Sequence, residues 1–241
     1  MVDGTGSPKK GSLVRSWNRR QESTGTKPTA RVDSDVTDDR TRWNEKHRDD
    51  EFELPTQPTV ELERWLEALP AGRALDVATG TGRNALFLAE AGYDVDAVDV
   101  ADEALEIARR RAEERGVEVN WIRADVAEFD LECEYDVITV SYFAALELLP
   151  DLKEALAPGG VLVYEHHLRA ADEIEIGPSS DRHRYRANDL LRACLDLTIL
   201  HYEERLRTVN DGTAAVATLV ARNSHGGTQS YPALPDSEPN G

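Results

Sequence analysis

In the central part of the chain, short runs of consecutive apolar residues alternate with stretches in which apolar residues recur every three or four positions. Short apolar runs predict buried β-strands, and the stretches between them carry apolar residues at helical spacing. Alternation of this kind predicts parallel strands joined by right-handed crossovers. We expect strands at 72–77, 95–98, 119–122, 136–140 and 161–164, and helices at 61–69, 103–114, 146–157 and 188–194, with another helix between Gly82 and Gly92.

The spacing changes after the last of these helices. Two runs rich in β-forming residues, 197–207 and 213–220, flank the turn-forming sequence Asn210-Asp211-Gly212. An Asp-Gly turn between such runs is typical of an antiparallel hairpin. The pattern therefore predicts an α/β fold in which a mostly parallel sheet ends in an antiparallel hairpin.

Both ends of the chain differ in composition from the centre. Residues 1–42 and 223–241 are rich in Gly, Ser, Thr, Pro and charged residues without sustained apolar periodicity, so we expect both to be disordered. The remaining stretch, 43–222, is long enough for one domain with a buried core. No apolar run approaches the ~18 residues that cross a bilayer, and the N-terminus lacks an apolar signal core, so a cytoplasmic protein with no membrane partner is expected.

The charge balance is strongly acidic, with 28 basic and 46 acidic residues and a net charge of −18. Such a surface repels polyanions, which makes a nucleic-acid substrate unlikely. The first 31 residues are basic, with seven Lys and Arg against Asp3 and Glu22. This arm either contacts RNA or the acidic body, or is a plain solvated tail. The acidic body suggests a halophilic protein as a hypothesis.

Cys133 and Cys194 are the only cysteines, which excludes a disulfide framework and a cysteine-rich metal site. Both are interpreted as packing residues. His166 and His167 are weak metal candidates because no third ligand stands at a recognisable spacing. We therefore predict no metal site.

The most informative motif lies at residues 74–84. An apolar strand ends in Asp76, and the chain turns on Gly80 and Gly82 before a helix begins. Glycine lets bare backbone approach a ligand, and the start of a helix offers unpaired N–H groups. Roughly 20 residues later Asp99 ends the second strand, where a carboxylate can accept hydrogen bonds from both ribose hydroxyls. These features predict a nucleoside pocket in a Rossmann-like, doubly wound sheet with helices on both faces.

With these residues, the chain from about Trp43 to Ala221 resembles the class I methyltransferases that depend on S-adenosyl-L-methionine (SAM). The resemblance implies that SAM is the cofactor, that Asp76 helps to hold its methionine amino group and that Asp99 holds its ribose. It also implies that Asp125 faces the adenine amino group. The residues 157–160 are similar to the turn before strand five in this family. Ala78 departs from the family, in which many members have a third glycine. The implied cofactor-binding residues are Asp76, Ala78, Gly80, Gly82, Asn84, Asp99, Val100, Asp125, Val126 and Ser141.

The acceptor side is expected where strand four ends, because ligands of open α/β sheets lie beyond the carboxyl ends of the strands. Ser141 is predicted to border the cofactor. Tyr142 and Phe143 either line the acceptor side or pack under the next helix. The segment lacks the Asn/Asp-Pro-Pro-Tyr signature of methyltransferases that act on planar amino groups, which again disfavours nucleic acid.

Catalytic residues are harder to name, because an activated methyl donor makes a general base optional. Tyr142, His166 and His167 are the candidates. Adjacent strand residues face opposite ways, so at most one of the two histidines points at the site. The alternative is a histidine at the rim that bonds to backbone or water.

Two further segments carry candidate residues. Three arginines and a histidine at 182–186 either gather an anionic acceptor or form ordinary surface ion pairs. Trp43 and His47, at helical spacing, resemble an aromatic segment that folds over the cofactor in small-molecule members. The alternative is that they pack the tail onto the core.

Within the family, the runs 82–86 and 92–95 look most like the compact methyltransferases of the tellurite-resistance type. The prediction is therefore a SAM-dependent methyltransferase with a small-molecule acceptor, with the oligomeric state left open. Three alternatives remain. They are a methyltransferase for protein or RNA that uses the basic arm, a regulatory protein that binds SAM or its product S-adenosylhomocysteine (SAH) without catalysis, and an NAD-dependent oxidoreductase. The last would use Gly80, Gly82 and Asp99 but gives Asp76 and Asp125 no role.

Overall fold

The computed structural model of the chain describes Thr41 and residues 56–131, 133–209, 212–224 and 228–232. Seven strands of this part form one sheet with the order β3-β2-β1-β4-β5-β7-β6. The strands are β1 Arg73–Val77, β2 Asp94–Asp99, β3 Asn120–Arg123, β4 Tyr135–Ser141, β5 Leu156–His167, β6 Thr198–Val209 and β7 Gly212–Arg222. The first five run parallel, and β7 pairs antiparallel with β5 and β6. The predicted fold and the closing hairpin are confirmed, although Asn210 and Asp211 lie outside the described residues.

Among the described residues, five α-helices connect or flank these strands. They are α1 Val60–Trp65, α2 Arg83–Glu90, α3 Asp102–Arg115, α4 Leu149–Glu154 and α5 Asp189–Ala193, with short 3₁₀ turns at Leu66–Ala68, Leu146–Leu148 and Asp181–His183. Within the described ranges, no helix is long and apolar enough to cross a membrane. The predicted tails, apart from a few positions, fall outside those ranges, so the domain boundaries at 42 and 223 stay predictions.

The helices pack on both faces of the sheet. Ala74 and Leu75, which are adjacent on β1, belong to two separate core clusters because neighbouring strand residues point to opposite faces. The cluster around Leu75 includes buried residues of α4 and α5, and the cluster around Ala74 includes buried residues of α1 and α2. Because both faces of the sheet are covered, polar side chains can reach solvent or a ligand mainly at the ends of the strands.

The start of strand five differs from its prediction. The strand begins at Leu156 rather than at 161, and the helix before it ends at Glu154 rather than at 157. The pairing with β4 jumps from Leu156 to Val161, so the predicted turn at 157–160 lies within β5 as an irregularity. Asn223 holds this segment in place, because its carbonyl accepts a hydrogen bond from the Gly159 N–H at 2.7 Å. Local sequence could not reveal this, since the partner comes from beyond the last strand.

Candidate functional site

The turn after β1 is built around the carboxylate of Asp76, which is 2% exposed. Its Oδ2 accepts hydrogen bonds from Thr79 Oγ1 at 2.5 Å and from the Ala85 N–H at 3.2 Å. Its Oδ1 accepts a hydrogen bond from Thr139 Oγ1 at 2.6 Å. Burial raises the pKa of Asp76, and these hydrogen bonds oppose that effect. One carboxylate thus joins the turn, the first turn of α2 and the neighbouring strand β4.

A second carboxylate, Asp99, fixes the same turn from the end of β2. Its Oδ2 accepts a hydrogen bond from the Gly80 N–H at 2.7 Å, and its Oδ1 accepts one from the Ala101 N–H at 2.9 Å. Burial raises the pKa of Asp99, whereas these backbone hydrogen bonds lower it. The Thr79 N–H also donates to the Val98 carbonyl at 3.0 Å. The turn is therefore attached to β2 at two points.

Three residues of the turn have left-handed backbone angles. Their φ values are +53° at Ala78, +56° at Gly80 and +81° at Gly82. A Cβ at Gly80 would meet no atom within 4 Å, so this side of the turn is open. A Cβ at Gly82 would lie only 2.7 Å from the Trp121 ring and 3.1 Å from Ala108. The two glycines therefore serve different purposes: Gly80 leaves space, and Gly82 permits close packing.

Asn84 uses both ends of its amide inside the protein. Its Oδ1 accepts a hydrogen bond from the Thr59 N–H at 2.9 Å, and its Nδ2 donates to Ser141 Oγ at 2.9 Å. Asn84 thus connects the residue before α1 to the end of β4. This geometry favours a positioning role, and its predicted contact with the cofactor stays a prediction.

The end of β3 adds the adenine-side candidates. The Ala124 N–H donates to the Asp99 carbonyl at 3.1 Å, which fixes this segment beside the end of β2. Asp125 and Val126 follow and are half-buried, and Asp125 Oδ1 accepts a hydrogen bond from the Ala127 N–H at 2.9 Å. The residues predicted to bind the cofactor therefore lie together at the carboxyl ends of β1 to β4, with Val100 half-buried after β2.

Tyr142 belongs to a polar cluster across the ends of β4, β5 and β6. Its hydroxyl donates a hydrogen bond to Glu165, which is 2% exposed, and Arg207 Nη1 lies 2.9 Å from both Glu165 carboxylate oxygens. The centre of the Tyr142 ring is 4.7 Å from the centre of the His167 ring. The Arg83 guanidinium carbon is 5.3 Å from the centre of the same Tyr142 ring. Burial and the adjacent carboxylate raise the pKa of Tyr142. Sequence reasoning missed Arg207, because nothing in the pattern of β6 distinguishes it from surface arginines.

The two histidines at the end of β5 face opposite ways. The His166 ring is 4.1 Å from the Tyr185 ring, and its Nε2 is 3.0 Å from the His183 carbonyl oxygen. The His167 ring lies instead beside Tyr142. Burial lowers the pKa of each histidine to about 4, so both are neutral at physiological pH. His167 is therefore the histidine on the Tyr142 side, and the surroundings of His166 favour a structural role.

Two arginines of the segment at 169–186 donate hydrogen bonds to its own backbone. Arg184 Nε donates to the Pro178 carbonyl at 2.9 Å, and Arg169 Nε donates to the Asp181 carbonyl at 3.0 Å. These contacts use the guanidinium groups to hold the loop together, a use that neither of the two sequence interpretations included. Trp43 and His47 lie outside the described residues, so their predicted role stays a prediction.

The part of the chain that contains the turn after β1 matches a known protein family. Residues 74–160 match the profile of the family described as "Methyltransferase domain". The chain is 43% identical over 106 residues to a demethylmenaquinone methyltransferase of Thermus thermophilus, a match that covers 41% of this chain and 48% of that protein. It is 33% identical over 105 residues to a ubiquinone biosynthesis O-methyltransferase of Bordetella avium, covering 41% and 43%. The chain thus spans somewhat less than half the length of these curated relatives.

Solved structures of other proteins share this fold. TehB from Haemophilus influenzae superposes with a TM-score of 0.59 at 20% identity, covering 68% of this chain and 61% of TehB. The N-methyltransferase NodS from Bradyrhizobium japonicum, solved in complex with SAH, gives a TM-score of 0.59 at 17% identity, covering 76% of this chain and 97% of NodS. At such identities the likeness establishes the fold alone.

The buried position of His166 predicts a pH effect on stability. Because the pKa is about 4 in the folded state and 6.5 ordinarily, the stabilisation is fully present above pH 6.5 and is lost as the pH falls towards 4. Between pH 7 and pH 4.5, the free energy of unfolding should therefore fall by less in His166→Gln than in the wild type. We expect a difference on the order of 2 kcal/mol, measured by urea unfolding. Parallel pH profiles for the two proteins would contradict this assignment.

Proposed function

Because the chain carries a class I SAM-dependent methyltransferase domain, we propose that it transfers the methyl group of SAM to a small-molecule acceptor. The observation that carries this proposal is the turn after β1, which two carboxylates hold open at Gly80. Two curated relatives support the acceptor class, since their names refer to demethylmenaquinone and ubiquinone biosynthesis. SAM supplies an activated methyl group on its sulfonium, so the protein has to align the acceptor and exclude water.

Asp99 suits the proposed contact with ribose. A carboxylate has about four lone-pair positions, and the backbone N–H groups of Gly80, Ala101 and Val100 act on that of Asp99. The capacity that these groups leave free is available to the hydroxyl groups of a nucleoside. Gly80 lies beside this carboxylate without a side chain, which leaves room for the sugar.

Asp76 suits a different task. It is almost fully buried, and three protein donors already surround its carboxylate. We therefore assign it as a positioning residue that keeps the turn in its binding geometry. Its predicted direct contact with the methionine amino group stays open to test.

The acceptor side favours a group that needs no strong base. Tyr142 has a raised pKa and donates to Glu165, and Arg207 neutralises that carboxylate. His167, with a pKa of about 4, is a weak proton acceptor near neutral pH, because general bases work best when their pKa is near the working pH. Thiolates, neutral amines and soft anions react without such a base. We infer that the acceptor belongs to this group.

Several finer expectations remain proposals. They are a cytoplasmic location, adaptation of the acidic chain to high salt, the lack of a nucleic-acid substrate and the role of the basic N-terminal arm. The net charge of −18 supports the second and third of these.

Calorimetry followed by a turnover assay tests the proposed function. The full chain should bind SAH and not NADH in titrations performed in dilute buffer and in molar KCl. Transfer of a labelled methyl group from SAM should then be found with thiols or amines, and transfer to phenols alone would contradict the inferred acceptor group. Tight NADH binding without SAH binding would refute the proposal. Good SAH affinity without any acceptor would instead support the regulatory alternative.

Asp99→Ala should weaken SAH binding because it removes the charge-assisted acceptor for the ribose hydroxyls. We expect a loss of about 2 kcal/mol, roughly 30-fold in Kd, measured by titration calorimetry. Asp94→Ala is the matched control, since Asp94 is exposed at the opposite end of the same strand. Equal affinities for Asp99→Ala and the control would show that β2 does not face the ribose.

Gly80→Ala and Gly82→Ala should separate ligand binding from stability. Gly82→Ala should lower the Tm of the ligand-free protein more, because its methyl group would clash with Trp121. Gly80→Ala adds a methyl group to open space, so it should mainly weaken SAH binding, with about 1 kcal/mol of backbone strain. Thermal unfolding and calorimetry on both variants check this. Similar effects of the two variants on both quantities would contradict the assigned roles.

A further inference from the structure

A second group of polar side chains lies between α1 and the edge strand β6. Glu61 on α1 is 3% exposed, and its Oε2 is 3.8 Å from Nε2 of His201 on β6. Glu203 is two residues further along β6, so its side chain projects from the same face of the strand. One donor atom from each of these residues lies within 4.8 Å of the other two. Glu61 also acts electrostatically on Arg207, so this group adjoins the cluster around Tyr142, but it shares no residue with the turn after β1.

Two of these donor atoms are buried without a partner. Glu61 Oε2 and His201 Nε2 are both inaccessible to solvent, and neither has a hydrogen-bond partner in the part of the chain that the structure describes. The Arg64 guanidinium is 3.8 Å from Glu61 Oε2, beyond hydrogen-bond distance. A buried carboxylate oxygen without a partner is costly, so such atoms call for an explanation.

Although the spacing of residues along the sequence predicts no metal site, we infer that Glu61, His201 and Glu203 bind one divalent transition-metal ion of the Zn²⁺ type. One imidazole nitrogen and two carboxylate oxygens suit Zn²⁺, Co²⁺ or Mn²⁺, and the imidazole argues against Mg²⁺ and Ca²⁺. Ligand atoms about 2.0–2.2 Å from a tetrahedral ion lie roughly 3.4 Å apart. The 3.8 Å between Glu61 Oε2 and His201 Nε2 therefore requires an adjustment of only a few tenths of an ångström. Water completes the coordination.

A direct hydrogen bond between Glu61 and His201 is the competing explanation. It would bring the nitrogen and oxygen atoms to about 2.7–3.2 Å, closer than the distance found. The ion explains both unpartnered atoms at once. Arg205 binds one oxygen of Glu203 at 2.7 Å and limits the affinity, so we expect micromolar rather than nanomolar binding. The ion would tie α1 to the edge strand and stabilise the hairpin, a structural role that is independent of methyl transfer.

Metal titration of the full chain tests this inference. The protein is treated with EDTA, dialysed and titrated with Zn²⁺ against a chromophoric competitor, and Co²⁺ absorption reports the ligand geometry. We expect one ion per chain with micromolar affinity and a Tm that rises with Zn²⁺ concentration. His201→Gln and Glu203→Gln should each weaken binding at least tenfold and abolish the Tm increase.

Glu204→Gln is the matched control, since Glu204 is adjacent on β6 and faces the other way. It should keep the Zn²⁺ affinity and the Tm increase of the wild type. SAH affinity, measured on the same proteins, should be unchanged in His201→Gln. Metal binding therefore tests the metal site and SAH binding tests the proposed function, and either can fail without the other. Absence of stoichiometric Zn²⁺, Co²⁺ or Mn²⁺ binding, or full binding in His201→Gln, would overturn the inference.

Discussion

The buried carboxylate of Asp76 is the constraint on which the turn after β1 depends. Removing a charged group from water costs several kcal/mol unless donors replace the water. Here the donors are Thr79 in the turn, the Ala85 N–H in α2 and Thr139 on β4. All three are satisfied together only when the turn, the helix and the neighbouring strand have this one arrangement. The fold therefore determines the shape of the turn before any ligand binds.

The hydrogen bonds around this turn explain how Ala78 keeps an unfavourable backbone conformation. Ala78 has a left-handed backbone, which costs a residue with a side chain about 1 kcal/mol. The Thr79 N–H next to it donates to β2, and the Gly80 N–H donates to Asp99, so the backbone has little freedom to relax. Strain of this kind persists where the surrounding contacts over-determine the conformation. These hydrogen bonds therefore hold Ala78 in a conformation that glycine would adopt without strain.

Much of the fold could be predicted from the sequence, because each strand and helix carries its own periodicity. The strands that end at Val77 and Asp99 and the closing hairpin follow from local patterns alone. The partnership of Glu165 with Arg207 could not be predicted, since it depends on β7 inserting between β5 and β6. The buried amide of Asn84 was likewise hidden, because its partners come from distant parts of the chain. Contacts between elements depend on sheet order, which spacing along one element does not encode.

The family match covers the residues that hold the turn after β1 but not most of those that surround Tyr142. The match to the methyltransferase family ends at residue 160, and the residues that hold the turn lie inside it. Glu165, His167 and Arg207, which surround Tyr142, all lie beyond that match. Function depends on specific sites rather than on the fold, so the family likeness constrains the residues that hold the turn more than those around Tyr142. The proposed acceptor therefore has to be sought by experiment, because β5 and the hairpin lie mostly beyond the part that the relatives match.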